Sequence, residues 1–170
     1  MEKGKTNALM IVLTVIYVMV VAWIILFKML PISEIGSMDH LRSINLIPFH
    51  YDEETSSHFS EVIENILIFV PLGVYLRILG KHSLFAVACG AAFSLFLEIV
   101  QFILGIGATD ITDLIMNTLG EAVGVLIYSC LKSIFKDVEK LDKMLSVLAL
   151  VGTGLFTVVT ITLFWGNNMI

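Results

Sequence analysis

The chain has 170 residues, of which 58% are hydrophobic and only 15% charged, and its mean hydropathy is +0.95. Soluble domains carry about a quarter charged residues, so the composition argues against a soluble protein and predicts a single membrane domain over residues 1–170. The net charge is −5 and the sequence has no basic cluster with interleaved aromatic residues, so nucleic acid is not an expected partner.

Five apolar segments follow one another along the chain, and each is long enough, or nearly so, to cross the hydrocarbon core of a bilayer, which takes about 20 residues. They are residues 8–27, 62–79, 84–104, 114–131 and 144–165. The first segment is longer than a usual signal-peptide core and no small-residue cleavage site follows it, so we interpret it as a retained helix. The sequence therefore predicts an all-α bundle of five transmembrane helices.

The positions of lysine and arginine predict how this bundle is oriented, because cytoplasmic loops carry an excess of these residues. With the N-terminus in the cytoplasm, only Lys28 and Arg42 lie outside. The other eight then lie inside: Lys3, Lys5, Arg77, Lys81, Lys132, Lys136, Lys140 and Lys143. We predict a cytoplasmic N-terminus and an extracytoplasmic C-terminus. Segment 28–61 and the loop 105–113 are then outside, and the apolar stretch NLIPF at 45–49 is expected to dip into the membrane interface.

The two cysteines, Cys89 and Cys130, lie inside apolar segments and are interpreted as packing residues. No spacing of Cys and His residues indicates a metal site, and no cofactor is predicted. The expected partners are the lipid bilayer and a lipid or lipid-linked molecule, and the sequence leaves the oligomeric state open.

Polar side chains in three of the predicted helices fall at similar depths in the outer half of the membrane. At 1.5 Å per residue, Glu98 and Gln101 lie roughly 9 and 5 Å below the outer end of the third helix, and Asn117 and Glu121 roughly 6 and 12 Å below that of the fourth. Asn65 lies in the first turns of the second helix. A carboxyl group facing lipid costs at least about 2.5 kcal/mol near the helix centre, so these side chains are expected to face a shared cavity open to the outside.

Helical spacing places the polar side chains of each helix on one face. Asp113, Asn117 and Glu121 share a face of the fourth helix. On the second helix, Asn65 shares a face with Glu61 and Ile68, and less closely with Glu64. Gly120 and Gly124 are spaced so that another helix can approach closely, and Pro71 predicts a kink in the second helix.

Structural alternatives apply to several of these residues. Asn65, Gln101 and Asn117 could each serve only to hydrogen-bond one helix to another. Asp110 and Asp113 could be N-caps of the fourth helix, where a negative charge also favours the helix dipole. For Asp110, capping and a direct functional role are equally compatible with the sequence.

The order NLIPF, then ENILIFVPLG, then LEIVQFILGIGATDITDLIMNTLGEAVG resembles the VanZ-like family of small bacterial membrane proteins. The resemblance covers residues 45–128. It implies a VanZ-like core over about 8–131, with an extra C-terminal transmembrane helix at about 144–165. Family membership implies a multi-pass protein of the bacterial cytoplasmic membrane with a role in the cell envelope. The name-giving member is associated with resistance to the glycopeptide teicoplanin.

The resemblance also implies which positions recur in the family. Its recurring polar positions correspond here to Asn45, Asn65, Glu98, Gln101, Asp110, Asp113 and Asn117, which we predict to bind the ligand. Its structural positions correspond to Pro48, Pro71, Gly73, Gly120 and Gly124. This chain departs from the family in GIGATDITD, which lacks the arginine that many members have before Asp110 and the acid that they have before Asp113. Glu121 occupies a position that is often small in the family.

Three functions are compatible with this pattern. The first is a binder that holds an amphipathic envelope molecule, either a lipid-linked precursor or a lipoglycopeptide such as teicoplanin, in an outward-facing polar cavity. The second is a membrane-embedded enzyme that acts on a lipid headgroup through Glu98 and Asp113 as acid and base, although no nucleophile with an adjacent base is evident. The third is a proton-coupled carrier of a small molecule, which ranks last because the polar residues stop in the outer half.

Overall fold

The helices and strands are seen in a computed structural model of the chain, which describes residues 2–27, 41–49 and 56–168. The helices in these ranges are α1 (Glu2–Phe27), α2 (Ser56–Ile78), α3 (Ser83–Leu104), α4 (Ile111–Ile134) and α5 (Val138–Asn168). Two short strands precede α2 and α4, namely β1 (Leu41–Asn45) and β2 (Ile106–Asp110).

Each of the five predicted apolar segments corresponds to one helix, and the predicted ends differ from the observed ones by at most six residues. All five helices are long and apolar enough to cross a membrane. The shortest, α3, has 22 residues, which at 1.5 Å per residue matches a hydrocarbon core of about 30 Å. Five helices of membrane-spanning length are thus confirmed, while the side on which each terminus lies remains a prediction.

The small sheet formed by β1 and β2 is the feature that the all-α prediction did not include. The two strands are parallel, and their register pairs Asn45 with Asp110. Gly105 ends α3 in a left-handed conformation, with φ of 66°, and turns the chain directly into β2. Both strands lie in segments that were interpreted as loops. Each is only five residues long and depends on a partner 65 positions away, so no local pattern reveals them.

Helices α2 and α4 run parallel and pack closely along a line of glycines. A Cβ atom added at Gly120 would collide with the carbonyl oxygen of Ile66, and one added at Gly124 would collide with that of Val70. Gly73 of α2 lies in the same way against the backbone of α4. Small residues let helix backbones approach closely, and here they bring the polar face of α4 against α2.

The apolar core lies mainly between α1, α2 and α5. Tyr17 donates its hydroxyl to the carbonyl oxygen of Ile68 at 2.8 Å, and the Tyr75 hydroxyl lies 2.8 Å from that of Thr153. Helix α2 continues through Pro71, and the predicted kink there remains a prediction. The core residues are Met10, Leu13, Tyr17, Val21, Phe69, Leu72, Tyr75, Ile78, Tyr128 and Ala149.

Candidate functional site

Four helix ends meet at one end of the bundle, where α1 and α3 finish and α2 and α4 begin. Two side-chain amides connect them. Asn65 of α2 donates a hydrogen bond from Nδ2 to Oδ1 of Asp113 in α4, at 2.7 Å. Gln101 of α3 donates from Nε2 to the backbone oxygen of Ile25 in α1, at 3.0 Å. The two bonds join the four helices in pairs around a common space.

That space is a cavity of about 350 Å³, which we call the acidic cavity. Three isoleucines from α1 and α2 form its apolar side, and carboxylates and amides form the remainder. Its lining residues are Ile24, Ile25, Glu61, Glu64, Asn65, Ile68, Gln101 and Asp113. Cavities that hold small molecules commonly have volumes of about 300–1,000 Å³, with an apolar lining and a few polar groups. The acidic cavity therefore has the volume of a small-molecule site and one apolar and one polar side.

A second polar group, outside the lining of this cavity, holds the small sheet onto α3. The backbone N–H of Asp110 donates to Oε2 of Glu98 at 3.0 Å, and Asn45 donates from Nδ2 to Oδ2 of Asp110 at 3.2 Å. The other carboxylate oxygen of Asp110 accepts from the N–H of Thr112 at 2.7 Å, so Asp110 is the N-cap of α4. Capping was one of the two alternatives for Asp110. Glu98 is only 3% exposed, and its hydrogen bond holds β2 against α3.

The stretch NLIPF consists of Asn45, the last residue of β1, and the turn that follows it. Asn45 accepts the N–H of Ile47 at Oδ1, at 3.1 Å, and the N–H of Phe49 donates to the hydroxyl of Thr112, also at 3.1 Å. The turn, which includes Pro48, is thereby attached to the start of α4. Ile47 and Phe49 are 61% and 55% exposed, which is compatible with the interfacial position predicted for this stretch.

A third polar group lies deeper, between α3 and α4, and we call it the buried polar group. It consists of Ser94, Asn117 and Glu121, of which Asn117 donates from Nδ2 to the Ser94 hydroxyl at 2.9 Å. Oδ1 of Asn117 and both carboxyl oxygens of Glu121 are buried and have no hydrogen-bond partner among the described residues. Glu121 packs directly on Gly90, because a Cβ atom added there would lie 2.5 Å from its Cγ.

The structure thus divides the predicted set of ligand-binding residues among three places. Asn65, Gln101 and Asp113 line the acidic cavity. Asn45, Glu98 and Asp110 hold the sheet, and Asn117 belongs to the buried polar group.

Five other lining residues were not among the predicted site residues. Glu61, Glu64 and Ile68 share the face of Asn65 or lie next to it, so helical periodicity could have identified them. The sequence carries no comparable signal for Ile24 and Ile25, because their segment is apolar throughout. Among the described residues, no three or more His, Cys, Asp or Glu side chains are placed to hold a metal ion.

Comparisons with known proteins identify the family. The VanZ/LLP1 family profile matches residues 14–135. Over 136 residues the chain is 38% identical to Protein VanZ of Enterococcus faecium, and this alignment covers 78% of the chain and 81% of that protein. The chain belongs to the VanZ/LLP1 family. No solved structure matches the chain at a significant level.

Membership of the VanZ/LLP1 family confirms the resemblance drawn from the motifs. The matched range contains the described parts of α2, α3, α4 and both strands, so all three polar groups lie inside the family region. Together with the five apolar helices, membership indicates a membrane protein.

Proposed function

We propose that this VanZ family member binds an amphipathic molecule of the bacterial cell envelope in the acidic cavity. The observation that carries the proposal is the cavity of about 350 Å³ with isoleucines on one side and carboxylates and amides on the other. With the N-terminus in the cytoplasm, as the distribution of basic residues predicts, the cavity opens on the extracytoplasmic side of the cytoplasmic membrane.

The proposed ligand is a lipid-linked envelope precursor or a lipoglycopeptide such as teicoplanin. Its apolar part would lie along the isoleucines, and its polar part would contact Asn65, Gln101 and Asp113. Binding of either molecule offers a route to glycopeptide resistance, by sequestering the drug or by covering its target. The kinship with Protein VanZ supports a role in the same process.

Residues that were first predicted to contact the ligand have a positioning role in this proposal. Asp110 caps α4, and Asp113 follows it in the first turn of that helix. Glu98 in turn accepts the N–H of Asp110 and holds the strand from which α4 starts. Loss of either carboxylate would displace Asp113 without removing a ligand contact.

The enzyme alternative has less support in this arrangement. General acid and base must both reach the reacting group within hydrogen-bond distance or through one water. Asp113 lines the acidic cavity, whereas Glu98 is not among its lining residues and is 3% exposed. The carrier alternative also has less support, because the carboxyl groups of α3 and α4 all lie in the helix halves nearer the acidic cavity, with Glu121 the deepest of them.

Binding of teicoplanin and of a lipid-linked peptidoglycan precursor to the protein in lipid nanodiscs tests the proposal. The variant Asp113→Asn removes one charge from the lining and is expected to weaken binding of the true ligand roughly tenfold, the value of one charge-assisted hydrogen bond. The matched control is Asp137→Asn, because Asp137 is exposed at the opposite end of the bundle. Its Oδ1 accepts a hydrogen bond from the N–H of Lys140, and the side-chain oxygen of asparagine can accept the same bond.

Three results would contradict the proposal. One is that neither molecule binds the wild-type protein. The second is that Asp113→Asn binds as well as wild type while retaining its melting temperature. The third is that Asp137→Asn weakens binding as much as Asp113→Asn, since the effect would then not be specific to the cavity.

A further inference from the structure

The acidic cavity offers a ligand more hydrogen-bond acceptors than donors. One side-chain N–H of Asn65 donates to Asp113 and one side-chain N–H of Gln101 donates to the Ile25 backbone, which leaves each amide one further N–H. The side-chain oxygens of both amides accept no hydrogen bond from the described residues. An ionised carboxylate accepts only. A headgroup rich in donors therefore matches this lining better than a headgroup rich in acceptors.

The charge of the lining favours the same kind of headgroup. Glu61, Glu64 and Asp113 contribute carboxylates, and none of the described lining residues is Lys, Arg or His. Glu64 forms no ion pair and no hydrogen bond within the described parts of the chain. A phosphate or carboxylate headgroup would bring further acceptors and further negative charge, so it would be repelled.

The Gln101 side chain is the most buried polar group in the lining of the cavity. This side chain is only 6% exposed and lines the cavity, and its oxygen accepts no hydrogen bond from the described residues. A hydrogen bond in surroundings of low dielectric is stronger than one in water, so a donor that reaches this oxygen is stabilised. An ammonium group supplies three N–H donors and the positive charge together.

We propose that the headgroup held in the acidic cavity is a primary ammonium group on an amphipathic molecule. Its N–H groups donate to the side-chain oxygens of Gln101 and Asn65, its charge faces the carboxylates, and its alkyl part lies along the three isoleucines. The inference rests on the proposed function, since it takes the cavity to be the binding site, and it adds the chemical class of the bound group.

Three fluorescent single-chain lipids that differ only in their headgroup test this inference. They carry a primary ammonium, a hydroxyl or a phosphate, and fluorescence anisotropy measures their binding to the full protein in phosphatidylcholine nanodiscs. The ammonium lipid is expected to bind roughly tenfold more tightly than the hydroxyl lipid, and the phosphate lipid most weakly. Equal affinities, or tightest binding of the phosphate lipid, would overturn the inference.

The same titrations separate failure of the inference from failure of the proposed function. If teicoplanin or the lipid-linked precursor binds in an Asp113-dependent way but the ammonium lipid is not preferred, the inference fails alone. If none of the three probe lipids binds, the inference also fails, and the teicoplanin and precursor titrations then decide whether the proposed function fails with it.

Glu64→Gln is the decisive variant, because Glu64 is exposed and its replacement leaves the packing intact. It is expected to weaken binding of the ammonium lipid roughly fivefold and to leave the hydroxyl lipid unaffected. The matched control is Glu139→Gln in the first turn of α5, at the opposite end of the bundle, which loses an exposed ion pair with Lys143 and leaves all three affinities unchanged. An unchanged ammonium affinity in Glu64→Gln would contradict the inference.

Lys28, which directly follows α1 in the sequence, provides a second test of charge. In the Lys28→Ala variant the ammonium lipid is expected to bind at least as tightly as in wild type. If the variant instead lost binding of the phosphate lipid that wild type possessed, the cavity would be an anion site and the inference would be wrong.

Discussion

Asp113 and Glu121 lie on the same face of α4, about 12 Å apart along the helix axis, yet their surroundings differ. Asp113 accepts the amide of Asn65 and borders a cavity, whereas Glu121 is completely buried, with both carboxyl oxygens unpaired among the described residues. The difference comes from the neighbouring helices. At the level of Asp113 the helix ends separate around a cavity, and at the level of Glu121 Gly90 lets α3 close over the carboxyl group.

The position of an acidic residue on a helix face does not by itself decide its role. Both carboxylates belong to the polar stripe that periodicity reveals, but only Asp113 is available to a ligand. Substitutions at the acidic cavity should therefore change binding with little effect on stability. Substitutions in the buried polar group should change stability with little effect on binding. Four predictions test this separation, from the largest expected effect to the smallest.

Gly124→Val should disrupt both the acidic cavity and the buried polar group. A Cβ atom at this position collides with the backbone oxygen of Val70, and backbone cannot move aside as a flexible side chain can. We expect a loss of about 3 kcal/mol or more in unfolding free energy, together with loss of ligand binding. Denaturant titration in detergent micelles measures the first and the anisotropy assay the second. Wild-type stability in this variant would show that α2 and α4 do not pack as described.

Gly90→Ala should affect the buried polar group alone. The added methyl group meets the Glu121 side chain, so we expect a loss of about 2 kcal/mol in unfolding free energy with ligand affinity unchanged. Gly152→Ala in α5 is the control, because a Cβ atom there meets nothing within 4 Å.

A double-mutant cycle identifies the partner of Gly90. In a background of Glu121→Ala, the Gly90→Ala substitution should cost less, because Cγ and Cδ of residue 121 are absent and only its Cβ still meets the added methyl group. Equal costs in the two backgrounds would contradict the packing of Glu121 on Gly90.

Glu121→Gln replaces the buried carboxyl group with an amide of nearly the same volume. Both oxygens of the carboxyl group lack partners among the described residues, and glutamine brings donors that can reach Oδ1 of Asn117 one turn away. We expect unfolding free energy to rise by about 1 kcal/mol at neutral pH, with no change in ligand affinity. The same denaturant titration measures it. A decrease in stability would indicate that the carboxyl group has a partner that glutamine cannot replace.

Asn65→Ala should change stability no more than Glu121→Gln does, and it should give the clearest change in binding. It removes one partly exposed hydrogen bond, worth about 1 kcal/mol, and one wall of the acidic cavity. Ligand affinity should fall while the helices stay assembled. Asn7→Ala is a useful control, since Asn7 lines a different cavity, between α1 and α5. A fall in affinity of the same size in both variants would contradict a specific site at Asn65.

Hydropathy along the sequence predicted most of the fold, whereas helical spacing predicted only part of the site. The apolar segments identified the five helices because each satisfies its own backbone hydrogen bonds locally. Helical spacing grouped Asn65 with Glu61, which line the same cavity, and Asp113 with Asn117, which share a face of α4 but lie in different polar groups. It could not show that Glu98 accepts a hydrogen bond from the N–H of Asp110, because that contact depends on the strand between α3 and α4. The apolar wall of α1 was equally invisible, since a uniformly apolar helix does not indicate which side faces a neighbour.

By itself, the sequence determined the number and extent of the helices, the polar faces of α2, α3 and α4, and the family. These properties depend on composition, short-range spacing and motif order along one chain. Only the tertiary structure decided that Asn45 pairs with Asp110, that Gln101 reaches α1, and that Glu121 is enclosed while Asp113 borders a cavity. Each of those outcomes depends on which backbone lies opposite a given side chain, and that follows from close packing between residues far apart in the sequence.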